Sequence, residues 1–268
     1  MSVLLFEKKG HIAYVTLNRP EARNAISPEL AVRLAQAWRE VQSDEQIRVA
    51  IVTGAGDKAF CSGADLARLI PLFSGARPAE DEWDRQVLED RTIVGTALLR
   101  NFNPDKPIIA AIRGFCIAGG LELVQGTDLR VASESASFAL QEVRWAILPA
   151  AGSMVRMPLQ MPYCKAMEIL LTGNRIDAAE AYRLGFVNYV VPDDQVMAKA
   201  QELAERIAEN GPLAVRAIKR TVLKALGRPL EEGYKLEDEA SKEIMRTEDA
   251  KEGPRAFMEK RKPRYVGR

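Results

Sequence analysis

The chain has 268 residues, 47% hydrophobic and 28% charged, the balance of an ordinary protein able to bury one sizeable core. Lysine plus arginine (38) and aspartate plus glutamate (37) nearly cancel, so no global field draws the chain to nucleic acid or to an anionic membrane. Three cysteines with no CxxC pair argue against a zinc site and a disulfide framework, and the single histidine, His11, argues against a Ser-His-Asp triad. Acid/base chemistry near neutral pH therefore falls to carboxylates.

The N-terminal residues lack the apolar run of a signal peptide and the Arg/Ser-rich character of a transit peptide. No stretch approaches the ~20 apolar residues that span a bilayer. A cytoplasmic location is the expectation.

Residues 12–17 read as a strand, with His11 facing solvent at its start, and residues 18–21 as a turn. Ser27-Pro28 is an N-cap followed by proline in the first helical turn, and Leu30, Leu34, Trp38 and Val41 follow at helical spacing. Residues 48–53 form a short apolar strand. A small-residue loop, 59–66, is then expected to open a helix directly. Residues 71–91 are polar and irregular and read as a mobile insertion before a helix near 92–101. An apolar strand at 108–112 runs on into Ala118-Gly119-Gly120, where a helix carrying Glu122 begins. Strands are expected at 129–132, 137–140 and 186–191, and helices at 162–171 and from Asp177 to near Gly185. Beyond about residue 195 the pattern is helical and highly charged. This predicts an α/β core over residues 1–195 and a helical C-terminal region over 196–268.

Two loops can supply chemistry. In Ser62-Gly63-Ala64-Asp65-Leu66 and in Ala118-Gly119-Gly120-Leu121-Glu122 the chain turns with little side-chain bulk, leaving backbone amides open. Two amides converging on one point bind a developing oxyanion, and losing one such donor typically lowers the rate about a hundred- to a thousandfold. The plainer reading is that small residues merely permit tight turns and close packing. Neither loop has a P-loop ending or a complete dinucleotide fingerprint. Glu122 and Glu142 both sit among apolar residues, where a carboxylate is paired or has a raised pKa. Two such groups near one substrate suit general acid/base work.

Together these segments resemble the enoyl-CoA hydratase/isomerase (crotonase) superfamily over nearly the whole chain. The resemblance is carried by Asn18-Arg19-Pro20 with Asn24-Ala25, by residues 59–66, 106–128 and 138–152, and by residues 171–187 and 256–261. It implies a spiral of repeated β-β-α units with a C-terminal α-helical region that makes a homotrimer, often paired into a hexamer. It implies that Ala64 and Gly119 supply the oxyanion-hole amides and that Glu122 and Glu142 are the two catalytic glutamates. Arg23, Ala25, Ser62, Asp65, Leu66, Gly120 and Trp145 would contact the acyl-CoA substrate, with Lys260 reaching the coenzyme A phosphates, from a neighbouring subunit in one arrangement. The activity implied is hydration of a trans-2-enoyl-CoA, with no metal and no cofactor beyond the coenzyme A of the substrate.

The sequence departs from the hydratase pattern in places. The loop after the second glutamate usually reads Gly-x-x-Pro-Gly-x-Gly-Gly but here is Ala146-Ile147-Leu148-Pro149-Ala150-Ala151-Gly152-Ser153. A positive φ at Ala146 or Ala150 would strain it. Ala118 replaces a frequent glycine, and Trp145 is bulkier than usual. An enoyl-CoA isomerase or another crotonase-type acyl-CoA enzyme is the nearest alternative. An RNA-binding homologue would call for a lysine-rich face, whereas the first helix balances Glu29 and Glu40 against Arg33 and Arg39.

Overall fold

A computed structural model describes residues 2–268. The chain begins with β1 (Leu4–Lys9), which pairs antiparallel with β2 (Ile12–Leu17). The Ser27 hydroxyl accepts the Leu30 N–H at 3.2 Å and starts α1 (Pro28–Ser43). The face of α1 bearing Leu30, Leu34, Trp38 and Val41 is wholly buried, as its spacing predicts. There follow β3 (Val49–Gly54), β4 (Ala59–Cys61), α2 (Leu69–Phe73), α3 (Glu82–Glu89) and α4 (Thr92–Ala97). Next come β5 (Ile108–Ile112), β6 (Phe115–Ile117), α5 (Gly119–Gln125), β7 (Leu129–Ser133), β8 (Ser137–Ala139), α6 (Ser153–Gln160) and α7 (Tyr163–Thr172). The chain continues with β9 (Ile176–Asp177), α8 (Ala178–Arg183), β10 (Tyr189–Val191), α9 (Val196–Ala208), α10 (Pro212–Ala225), α11 (Leu230–Ile244) and α12 (Glu248–Met258).

Strands come in pairs that feed two sheets. In the pairs β3/β4, β5/β6 and β7/β8 the first member joins the sheet β1-β2-β3-β5-β7-β10 and the second joins β4-β6-β8-β9; β1 and β2 both lie in the first sheet, and β9 and β10 join the two sheets in the reverse order. A helix follows each pair, so the chain winds as a spiral of β-β-α turns. Inner neighbours are parallel, and only β1 and β9 run antiparallel to theirs. A parallel sheet is covered on both faces, which is why β3 and β5 are apolar runs buried at every position. On one face Val196, Ala200, Leu203 and Ala204 of α9 pack against Ile51, Ile109 and Val131; α1 belongs to the larger core.

The strand expected at 108–112 is β5, and after it the chain changes sheet at Arg113-Gly114 to form β6. Gly114 has φ 61, and a Cβ there would lie 2.2 Å from the Lys58 carbonyl oxygen, so only glycine allows the crossing.

Other expectations need correction. Residues 71–91 are not an irregular mobile insertion. They include α3, whose Asp84 is fully buried and accepts from Arg77 Nη1 at 2.5 Å, Arg77 Nη2 at 2.8 Å and the Glu80 amide at 2.9 Å. A bidentate buried ion pair organises this segment, and it leaves no hydrophobic period to read. The loop after β4 does not open a helix directly: α2 starts only at Leu69, and Ala64 instead bridges to Ile26. Of residues 186–191 only the last three are strand. Phe186 leaves the sheet to meet Phe138 edge-on, with ring centroids 5.7 Å apart. Helix α6 escaped notice because Pro158 lies within it.

Candidate active site

A cavity of about 520 Å³ opens between the start of α5, the loops after β4 and β8, and the short helices α2 and α4. Of the residues singled out from sequence, Ser62, Ala64, Leu66, Gly119, Glu122, Glu142 and Trp145 all line it. Segments far apart in the chain therefore meet at one site.

Glu122 stands on the first turn of α5 and is 4% exposed. Its Oε1 accepts from the Ala151 amide at 2.7 Å and the Ser153 amide at 3.4 Å. Burial raises its pKa, and these two amides together with the charge of Arg100 oppose the rise. Glu142 opens a single helical turn, Glu142–Trp145, and is 7% exposed. Its Oε2 has no hydrogen-bond partner among the described residues. Burial pushes its pKa up to about 7, and the neighbouring charge of Glu122 adds to the rise. The two carboxylates thus sense each other across one cavity while their surroundings differ. Glu122 is held by the amides of two other residues, whereas Glu142 has only its own backbone amide opposing the rise and one oxygen without a partner, an arrangement that pulls two titrations apart.

The amides of Ala64 and Gly119 find no acceptor among the described residues. They are close neighbours, since a Cβ on Gly119 would lie 3.6 Å from the Ala64 nitrogen. What positions Ala64 was missed in the sequence. The Ile26 amide donates to the Gly63 carbonyl at 2.8 Å, and the Asp65 amide to the Ile26 carbonyl at 3.0 Å. Arg19 then ties the two loops together, through Ala25 O at 2.5 Å and Asp65 Oδ2 at 3.0 Å. Buried Asn24, with φ 54, sends its side-chain amide to Ala55 O at 2.9 Å and Ala59 O at 2.8 Å. The Asn-Arg-Pro…Asn-Ala pattern is thus a brace for the Ala64 loop. It carried that signal in the sequence without revealing its mechanics.

Five sequence candidates lie outside the cavity lining. The Asp65 carboxylate is taken up by Arg19 and by the amides of Ala67 and Arg68 at 3.0 and 3.1 Å. Gly120 packs on β4, where a Cβ would come within 2.5 Å of the Cys61 carbonyl oxygen, so its role in this chain is close packing. Arg23 lines a separate hollow with Asn24, Gly56 and Lys58; Ala25 presents its carbonyl to Arg19; and Lys260 follows the end of α12. Conversely, Arg91, Arg100, Asn101 and Gln141 line the cavity and were missed, three of them because α4 and its flanks carried no recognisable motif.

The altered loop has a definite job. Of the two alanines at which a positive φ would strain the loop, Ala146 adopts one (φ 55) and Ala150 does not. The loop that starts there supplies, at its far end, the Ala151 and Ser153 amides that bind Glu122.

The family model for enoyl-CoA hydratase/isomerase matches residues 7–268. The chain belongs to the enoyl-CoA hydratase/isomerase family. It is 45% identical to an enoyl-CoA hydratase of Mycobacterium tuberculosis, covering 98% of this chain and 96% of the relative. It is 40% identical to (E)-benzylidenesuccinyl-CoA hydratase of Thauera aromatica, covering 97% of this chain and 98% of the relative. A crystal structure of enoyl-CoA hydratase from Bacillus anthracis superposes with a TM-score of 0.89 at 36% identity, over 99% of this chain and all of that one.

In this family member Ala118 holds φ 53 and ψ −126 at the start of α5, a region natural to glycine. Ala118→Gly is expected to relieve strain and stabilise the fold by about 1 kcal/mol net of glycine's greater chain entropy, read as a higher Tm. Glu142 gives a second stability prediction. Its folded pKa, about 7, lies above the unfolded value near 4.5, so the native state loses stability as pH rises through that window. Glu142→Gln removes the loss. Denaturant titrations should show the variant gaining on wild type by on the order of 3 kcal/mol between pH 4 and pH 8. A difference constant across that range would refute the raised pKa.

Proposed function

We propose that the chain is an enoyl-CoA hydratase that adds water across the double bond of a trans-2-enoyl-CoA. The observation that carries this reading is the pair of buried carboxylates, Glu122 and Glu142, facing one cavity beside two open amides. The thioester oxygen accepts from the Ala64 and Gly119 amides, which polarises the conjugated system and stabilises the enolate that forms as water attacks the β-carbon. Glu122, held towards its charged form by two amides, takes the proton of that water. Glu142, with its raised pKa, is protonated in a large fraction of molecules near neutral pH and delivers the α-proton. The thioester itself acidifies the α-position, so this scheme draws on no metal or redox group.

The adenosine end of coenzyme A is assigned to the hollow at Arg23 beside Ala25, with Lys260 of a neighbouring subunit at the phosphates. Exposed apolar residues on α10 and at its C-terminal cap support a homotrimer or a dimer of trimers: Ile218, Val222 and Leu226 are 65%, 55% and 56% exposed in the single chain. Leu213 and Val215 of the same stripe are half-buried. Lys219 fixes α10 to the core, donating to Asp128 Oδ2 at 2.8 Å and Lys106 O at 2.9 Å. No helix among the described residues is long and apolar enough to cross a membrane, and a cytoplasmic location is assigned on the same reading.

The test is a turnover panel of short, long, branched and aromatic trans-2-enoyl-CoA thioesters, followed by loss of the enoyl absorbance. Hydration predicts that at least one is consumed to a 3-hydroxyacyl thioester. Migration of the double bond without consumption would make the enzyme an isomerase instead. The pH profile adds a sign: kcat for hydration falls as pH rises through about 7, where Glu142 loses its proton. A rate that climbs through that range contradicts the roles assigned.

A further inference from the structure

One wall of the cavity is α4 with its two flanks. Val94, Gly95 and Leu98 give it an apolar surface, and Arg91 on one side and Arg100 and Asn101 on the other bracket that surface. The Arg91 guanidinium sits 5.1 Å from the centroid of the Phe73 ring, itself part of the cavity wall. Arg100 is close enough for its charge to be felt at Glu122. Nearby Arg68 and Arg77 are both paired with carboxylates, whereas Arg91 and Arg100 pair with none among the described residues.

The turn that presents Arg100 and Asn101 is built rather than incidental. Leu99 is held at φ 56, uncommon for a residue with a branched side chain. Its carbonyl accepts from Arg156 Nη2, and the amides of Arg100 and Asn101 both reach back to Gly95 O, at 2.7 and 3.3 Å. A strained backbone position, braced by a half-buried arginine, places two exposed polar residues on the cavity lining.

A plain alkyl chain lying against this wall would strip water from a guanidinium and give nothing back. A carboxylate would instead receive charge-assisted hydrogen bonds, in bidentate form from a planar fork. We propose that the preferred acyl group carries a carboxylate, bound by Arg100 with support from Arg91 and Asn101. The inference rests on the hydratase reading and narrows it to enoyl-CoA thioesters of dicarboxylic acids.

The experiment compares trans-2-hexenedioyl-CoA with trans-2-hexenoyl-CoA, a pair equal in chain length and different in the terminal carboxylate. Wild type is expected to favour the dicarboxylic thioester in kcat/KM by about tenfold or more, and R100M to lower that ratio by a similar factor. R91M lowers it less, and R100K, which keeps charge without the fork, falls between. Equal use of both thioesters by wild type, or an R100M variant that weakens both in the same proportion, would overturn the proposal and make the arginine a coenzyme A or structural contact. If neither thioester is hydrated, and no member of the wider enoyl-CoA panel is, the hydratase reading fails on its own. The carboxylate inference is then read from calorimetric binding of adipyl-CoA against hexanoyl-CoA. Tighter adipyl-CoA binding that R100M abolishes sustains it, and equal binding refutes it.

Discussion

Replacing Glu122 or Glu142 with glutamine is expected to lower kcat for enoyl-CoA hydration by about a hundred- to ten-thousandfold each, while the fold survives. Glutamine matches glutamate in shape, so the Ala151 and Ser153 amides still find an oxygen at position 122. What the variant lacks is a group able to take the proton of water. At position 142 the lost function is a proton for the α-carbon, and the bare Oε2 position loses nothing structural by the change. The two effects are not expected to add. Once one proton transfer is disabled, removing the second has little left to impair, so E122Q/E142Q should lie close to the worse single variant. Steady-state kinetics with matched melting curves decides the matter. If both single variants kept wild-type turnover, the carboxylates would be structural.

Ala64→Pro should lower kcat by about a hundred- to a thousandfold, the usual effect of losing one oxyanion donor. The substitution isolates that donor because the Ala64 N–H finds no acceptor among the described residues, so proline removes none of the hydrogen bonds seen among them. The contacts that fix the loop, from Ile26 to Gly63 and from Asp65 to Ile26, use the neighbouring residues and remain. The loss should appear mainly in kcat, because the bond strengthens as charge develops on the oxygen. An unchanged kcat in a folded variant would remove Ala64 from the oxyanion site.

Much of the fold was legible because its rules are local. The N-cap at Ser27, the stripe through Trp38 and the continuous apolar run at β5 each follow from the surroundings of a few residues. What stayed hidden depends on partners distant in sequence. The Arg77–Asp84 pair turns a polar stretch into an ordered wall, and no hydrophobic period announces it. Helix α6 is hidden by Pro158, and the change of sheet at Gly114 by an apolar sequence that would suit one long strand.

The site divides the same way. Both glutamates stood out as carboxylates in apolar settings, and both amide loops as turns of small residues; their convergence needed the structure. The Arg19 brace was visible only as a pattern, and its effect on Ala64 runs through Asp65 and Ile26. Gly120 was read as a substrate contact because it sits within the same short motif as Gly119. Its neighbour is the backbone of β4, a relation that spacing along one chain does not show. The altered loop was marked in the sequence as a place where a positive φ would be strained; Ala146 has one, and the far end of the loop holds Glu122.

The central claim is that water adds across a conjugated double bond at this site. Turnover of a trans-2-enoyl-CoA in heavy-oxygen water, with products analysed by mass spectrometry, tests it most directly. The account predicts a 3-hydroxyacyl-CoA that carries the heavy oxygen on its β-carbon, formed by wild type and lost in E122Q. A product of unchanged oxygen content, with its double bond moved or its acyl group intact, would contradict it.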